Sequence, residues 1–239
     1  MQAGTWYMQE TCRTRNYAVE AVLCDMDNTL FDFVRAKREA CRSVIDYLGR
    51  GDPGTLFSQF LRGVHGFEDH ENISDYLNDL GVYDGETFEV CCRIYEDVKL
   101  DLVEAYPGVE ETLRALQESG IGLAVVTDAE SFQARRRLEK TGLIDYFETV
   151  VTPDLSGRCK PEPDSLLYAL RRLGAKPEEA MMVGDSAARD IAAGRRLGMV
   201  TAFAAYGDWR QSRVTDVGAD IVLAEFAQLR RYLSIPGKG

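Results

Sequence analysis

Val22-Leu23-Cys24-Asp25-Met26-Asp27-Asn28-Thr29-Leu30 decides the fold of this chain. Its apolar run reads as a buried strand, and it delivers two carboxylates, one residue apart, to the strand's C-terminal end. In an open α/β sheet that end is where active sites lie. Side chains at i and i+2 share a strand face, and once the strand has ended the second carboxylate can swing back toward the first through the turn. Such a pair suits a nucleophile beside an acid/base partner. Read alone, the same turn also suits a helix cap.

Downstream, from about residue 108, short apolar segments alternate with helices closed by glycine. Pro107-Gly108 opens a helix with Val109, Leu113 and Leu116 at i, i+4 and i+7, and Gly120 ends it. Strand Ile121–Val126 follows, then a helix from about Glu130 to Lys140 and a strand from Phe147 to Val151. Pro163 starts a helix that carries Leu166, Leu167, Leu170 and Leu173 up to Gly174. Met181–Val183 is a strand, Ala187–Leu197 one helix ending at Gly198, and Met199–Phe203 a strand again. Units of this length imply a parallel sheet with right-handed crossovers.

Residues 32–104 break the rhythm: they hold no convincing strand, and glycine-bounded helical segments fill them. The expected organisation is an N-terminal extension at 1–18, a core formed by 19–31 and 107–239, and an inserted all-helical subdomain at 32–106. Its two linkers, near Asp32 and Tyr106-Pro107, can act as a hinge over the catalytic edge. There is no internal repeat.

The 239 residues suffice for a sizeable core, and 45% apolar with 28% charged residues describe an ordinary globular protein. With 28 Lys and Arg against 39 Asp and Glu, the net charge of -11 argues against nucleic acid or an anionic membrane as partner. It leaves a phosphorylated metabolite open, because one metal ion and one lysine can reverse the potential inside a cleft. Cysteines 12, 24, 41, 91, 92 and 159 form no C-x-x-C pair, and with two histidines a zinc site is not expected. Without a secretory segment or a long apolar run, the expected location is cytoplasmic, with reduced thiols.

Three further stations join the first: Val125-Val126-Thr127-Asp128, Lys160-Pro161, and Met182-Val183-Gly184-Asp185 followed by Asp190. In this order the four resemble the haloacid dehalogenase superfamily, and within it the magnesium-dependent, phosphoglycolate phosphatase-like branch with a helical cap after the first strand. The resemblance covers about residues 19–223 and rests on the joint pattern. It implies a doubly wound, Rossmann-like core and hydrolysis of a small-molecule phosphomonoester through an aspartyl-phosphate.

Phosphoryl transfer needs an in-line nucleophile and positive charge around the equatorial oxygens. Asp25 is the expected nucleophile, and Asp27 the group that protonates the departing alkoxide and then activates water. The hydroxyl of Thr127 and the backbone N–H of Asp128 can donate to a phosphoryl oxygen. Asp128 stands where many relatives carry Asn, and its carboxylate is expected near the following helix N-terminus, away from phosphate. Lys160, before two prolines, can neutralise both phosphate and Asp25. The resemblance implies that Asp25, the backbone carbonyl of Asp27 and Asp185 hold Mg2+, with Asp190 orienting Lys160 or a metal-bound water. Arginines 135–137, 171–172, 195–196 and 230–231 read as solvated helix faces.

Asp27 sets the chain apart from dehalogenases, which lack a second aspartate there, and from phosphonate-cleaving relatives, which need a Schiff-base lysine in the cap and usually lack that aspartate too. A sugar-phosphate mutase shares the core residues. From another class, a receiver-like phospho-acceptor domain combines Asp, Thr, Lys and magnesium on a doubly wound sheet, but at about half this length and without the insertion. Arg35, Lys37, Arg38, Arg62, His65 and His70 are the insertion's candidates for contact with a leaving group.

Overall fold

Ala21–Cys24 forms β1, every residue of it buried, in the middle of a parallel sheet. The computed structural model describes residues 16–210, 212 and 217–235, so most of the expected N-terminal extension lies outside the described residues. After β1 come β2 (Gly122–Val126), β3 (Thr149–Val151), β4 (Ala180–Gly184), β5 (Val200–Ala204) and β6 (Ile221–Leu223), in the spatial order β3-β2-β1-β4-β5-β6. β1 pairs in register with both β2 and β4, Cys24 lying opposite Val125 and Val183. Strands β2 to β5 are the expected ones with starts shifted by a residue or two. β6 was not expected: at three residues, with Val222 exposed at the sheet edge, it is too short to show a period.

Directly after β1 come four helices, α1 (Phe33–Leu48), α2 (Pro53–Gln59), α3 (Glu71–Asp79) and α4 (Gly85–Asp101). Aspartates at three of their N-caps, Asp32, Asp52 and Asp84, accept backbone N–H bonds from the residue three positions on, each contributing about 1 kcal/mol. The helices share an apolar cluster of their own, in which Val34, Val44, Phe57, Phe60, Ile73, Leu77 and Tyr95 are buried. This is the inserted helical unit of the fold.

The core helices are α5 (Val109–Glu118), α6 (Ser131–Lys140), the short α7 (Pro153–Ser156), α8 (Asp164–Leu173), α9 (Ala192–Arg196) and a last turn, α10 (Leu229–Tyr232). Val22, Cys24, Leu123, Val125, Met181 and Val183 cluster with Val109, Leu113 and Leu116 of α5 and with Ala134 and Leu138 of α6. Their alternates, Ala21, Leu23, Ala124, Val126, Ala180 and Met182, cluster with Leu166, Ala169 and Leu170 of α8. A strand covered on both faces has no polar alternate, and this is why β1 reads as an unbroken apolar run. The single helix expected over Ala187–Leu197 is instead a wide π turn, Ala187–Ile191, running into α9. In this turn the Ser186 carbonyl accepts from both Asp190 N and Ile191 N, while the Asp190 carboxylate turns back to accept from the N–H of Ser186.

Candidate active site

In this strand order the chain leaves β1 on one side and returns through β4 on the other, opening a crevice between their C-terminal ends. Asp25 sits at its floor, its backbone N–H bonded to the carbonyl of Val183 at 2.8 Å. Both oxygens of its carboxylate are held: Oδ2 accepts from the Thr29 hydroxyl at 3.1 Å, and Oδ1 from Lys160 Nζ at 2.6 Å. The turn that follows depends on Asn28 at φ 62°, whose Oδ1 accepts from Val34 N and so fixes the entry to α1. A side chain at Gly207 would collide with the Asn28 carbonyl. Asn28 and Gly207 had no visible role in the sequence, because the approach of segment 207 to the turn is a tertiary contact.

Lys160 is buried among oxygens. Besides Asp25, Nζ meets Asp190 Oδ1 at 2.7 Å and donates to the carbonyl of Val126 at 2.7 Å. Burial opposes its charge, but Asp190 and Asp25 outweigh burial and hold the ammonium above the usual lysine range. Thr127 Oγ1 accepts from Ala129 N, so the hydroxyl proton can serve an oxygen in the cavity. Asp128 corrects the expectation: its carboxylate does not face the next helix but accepts from Lys160 N at 2.9 Å and pairs with Arg189 at 3.2 Å. It anchors the lysine segment. Arg189, which the sequence reading assigned no role, is the cation that keeps this carboxylate paired.

Asp185 follows β4, its Oδ1 buried without a hydrogen-bond partner. Carboxylate oxygens of Asp25, Asp185 and Asp190 lie within 4.8 Å of one another, the one such group among the described residues. Burial, with Asp25 and Asp190 adding to it, pushes the Asp185 carboxyl up. Hard oxygen donors, an orphaned buried oxygen and crowded negative charge are together the surroundings that a divalent cation fits. Gly184 has no side chain because Asp190 occupies the place where one would go. Gly184→Ala is therefore expected to destabilise the protein by about 1–3 kcal/mol. By displacing Asp190 and Lys160 from Asp25 it should also lower turnover roughly 100-fold. Urea denaturation and turnover measure the two effects, and wild-type values in both would refute the packing argument.

Asp27 Oδ2 accepts from Arg137 Nη1 at 2.7 Å, and Arg137 is also paired with Glu68, from the loop between α2 and α3. This corrects the reading of 135–137 as a solvated face. Arg135 does lie at the surface with Glu139, but Arg137 is 1% exposed. Three consecutive residues cover about 200° of a helix, so three arginines in a row need not share one environment. Burial pushes the Asp27 carboxyl up, with Arg137 opposing the shift.

The insertion's candidate residues separate. His65 and His70 line the cavity, paired with Asp75 and Glu96. Arg35 pairs with Glu104 at the surface, Arg62 with Asp75, and Arg38 stacks on Phe57. Lys37 is fully buried over the rings of Phe67 and Phe60, and burial pushes its ammonium down to about 7, so it supports the insertion from within. The cavity measures about 930 Å³ and is walled by Asp25, Asp27, Thr127 and Asp185 from the core and by Phe60, Phe67, Glu68 and His70 from the helical unit.

A family model for haloacid dehalogenase-like hydrolases matches residues 19–198. A glyceraldehyde 3-phosphate phosphatase of Methanocaldococcus jannaschii is 30% identical over 195 residues, 77% of this chain and 83% of that protein. A phosphoglycolate phosphatase of Aquifex aeolicus is 31% identical over 191 residues, 79% of this chain and 86% of that protein. Among solved structures, a candidate beta-phosphoglucomutase from Thermotoga maritima is 26% identical with a TM-score of 0.76, covering 90% of this chain and 98% of that one. The chain belongs to the haloacid dehalogenase-like hydrolase family. It is an enzyme of the phosphatase kind.

Proposed function

We propose that the protein hydrolyses a small phosphorylated metabolite through an aspartyl-phosphate on Asp25, with residues 32–106 acting as a cap over the strand ends. The observation that carries this reading is the clamp on Asp25: Lys160 and Thr29 hold one carboxylate oxygen each at the floor of a cavity that the helical unit helps to close. A nucleophile already held in one orientation saves the entropy of aligning it.

In this mechanism Asp25 attacks phosphorus, while Lys160, the Thr127 hydroxyl and the Asp128 N–H receive the phosphoryl oxygens. Asp27 gives its proton to the departing alkoxide, then takes one from the water that opens the acyl phosphate. Asp25, Asp185 and the Asp27 carbonyl are the proposed holders of Mg2+, with Asp190 as orienting partner, and the ion supplies positive charge against the phosphoryl oxygens. Asp190 orients Lys160 directly. The likeness to the Thermotoga maritima structure keeps a sugar-phosphate mutase as a second reading. The family match and the inserted helices stand against a receiver-like signalling domain.

An acidic surface offers no track for nucleic acid, and no described helix is long and apolar enough to cross a membrane. Turnover with magnesium should be compared among phosphoglycolate, glyceraldehyde 3-phosphate, sugar phosphates, nucleoside monophosphates, phosphopeptides, a phosphoprotein and 5′-phosphorylated oligonucleotides. At least one small ester is expected to reach kcat/KM of about 10⁴ M⁻¹ s⁻¹ or more. Faster turnover of any macromolecule than of every small ester would overturn the proposal. Phosphate transfer between positions of a sugar without net release would establish the mutase.

A further inference from the structure

Beneath the cavity wall, charges run in an unbroken line from the helical unit to Asp27. His70 Nε2 lies 2.9 Å from Glu96 Oε1, and Lys99 Nζ lies 2.6 Å from the same oxygen and 3.2 Å from Glu68 Oε2. Arg137 then joins Glu68 to Asp27. Arg137 belongs to core helix α6, Glu68 to the insertion, and Asp27 to the turn after β1. The guanidinium carbon also sits 3.8 Å from the ring centre of Phe33, the first residue of α1, where the chain leaves the core. One buried side chain thus touches the acid/base carboxylate, a loop of the helical unit and the start of its first helix.

A guanidinium binds carboxylates through a rigid planar fork, so its two partners fix each other's direction. Among the described residues, Asp27 Oδ1 has no hydrogen-bond partner, and Arg137 alone sets the rotation of that carboxylate. Glu68 in turn holds the fork only while the helical unit is seated on the core. We propose that Arg137 is a positioning residue that aligns Asp27 for proton transfer and, through Glu68, makes that alignment depend on the seating of the cap. The inference rests on the acid/base role proposed for Asp27.

The test compares kcat/KM, which reports the phosphorylation half-reaction, for an alkyl phosphate and for 4-nitrophenyl phosphate, whose leaving group needs no proton. Asp27→Asn serves as the reference for a lost acid. Arg137→Met is expected to lower the alkyl value about 100-fold and the nitrophenyl value less than about threefold. Glu68→Gln should show the same split at about 10-fold, and Arg137→Lys, a point charge without a fork, an intermediate one. A merely structural arginine would depress both substrates alike. Glu68 lies at the cavity wall and is partly exposed, so Glu68→Gln decides the question if Arg137→Met does not fold. Equal losses on both substrates in Glu68→Gln and Arg137→Lys, while Asp27→Asn shows the split, would overturn the role of Arg137 and leave that of Asp27 intact. No split in Asp27→Asn would overturn both.

Discussion

Asp25→Asn is expected to fold as the wild type does and to lose turnover by about 10⁴-fold or more, the scale on which removing a nucleophile acts. The amide keeps the side chain's shape, and its oxygen can still accept from Lys160 or Thr29, so the strand end is not disturbed. What disappears is the carboxylate proposed to attack phosphorus. Chelation of divalent cations should silence the wild type to a similar extent, because the crowded group of Asp25, Asp185 and Asp190 is then left with Lys160 as its direct cation. Steady-state hydrolysis, together with acid-stable trapping of the phospho-enzyme, measures both. An Asp25→Asn protein that retained activity would remove Asp25 from the mechanism, and a stripped wild type that retained it would remove the divalent cation.

Lys160→Met should harm both chemistry and stability. The ammonium sits between Asp25 and Asp190 with no exposed side-chain surface, and removing it leaves buried carboxylates facing one another. Breaking a buried ion pair by deleting one partner costs about 3–5 kcal/mol. Because the folded pKa of Lys160 is raised, its contribution is complete below the ordinary lysine value near 10.4 and is lost only as pH rises beyond that. The loss in the variant should therefore appear in full at pH 7. Turnover should fall roughly 10³-fold, since the variant lacks both the proposed phosphate contact and the clamp on Asp25. Chemical denaturation and kinetics at pH 7 test the two effects. Wild-type stability in the variant would refute the pairing of Lys160 with the two carboxylates.

What could be read before any fold was known was which chain-local patterns bring polar side chains to one place. A buried strand ending in Asp25 and Asp27, a Thr after β2, a Lys beside prolines and an Asp after β4 converge on one crevice because strand ends in a parallel sheet all point the same way. The residues that escaped are those whose roles come from distant partners. Arg137 is set apart from other helix arginines by Asp27, 110 positions away, and by Glu68, 69 away. Asp128 was read against the helix beside it, whereas Lys160, 32 positions on, claims its carboxylate. Lys37 reads in the sequence as a candidate to contact a leaving group, and only the rings of Phe60 and Phe67 show it to be interior. The π turn escaped for a related reason: glycine-bounded periodicity marks a helix's extent but not a side chain that folds back onto its first amide.

The central place of β1 also orders the protein's synthesis. Its partners on either side, residues 122–125 and 180–183, leave the ribosome long after it does. At about 5–20 residues per second, residue 24 waits on the order of ten to thirty seconds for residue 183. The buried members of the insertion's cluster, by contrast, all lie between residues 34 and 95, so these helices can settle while the reaction centre is still half made. During that interval a bare apolar segment could pair with a neighbouring nascent chain. Asp25 and Asp27, with Glu20 on the other side, flank it with charge, the placement that opposes such pairing between chains.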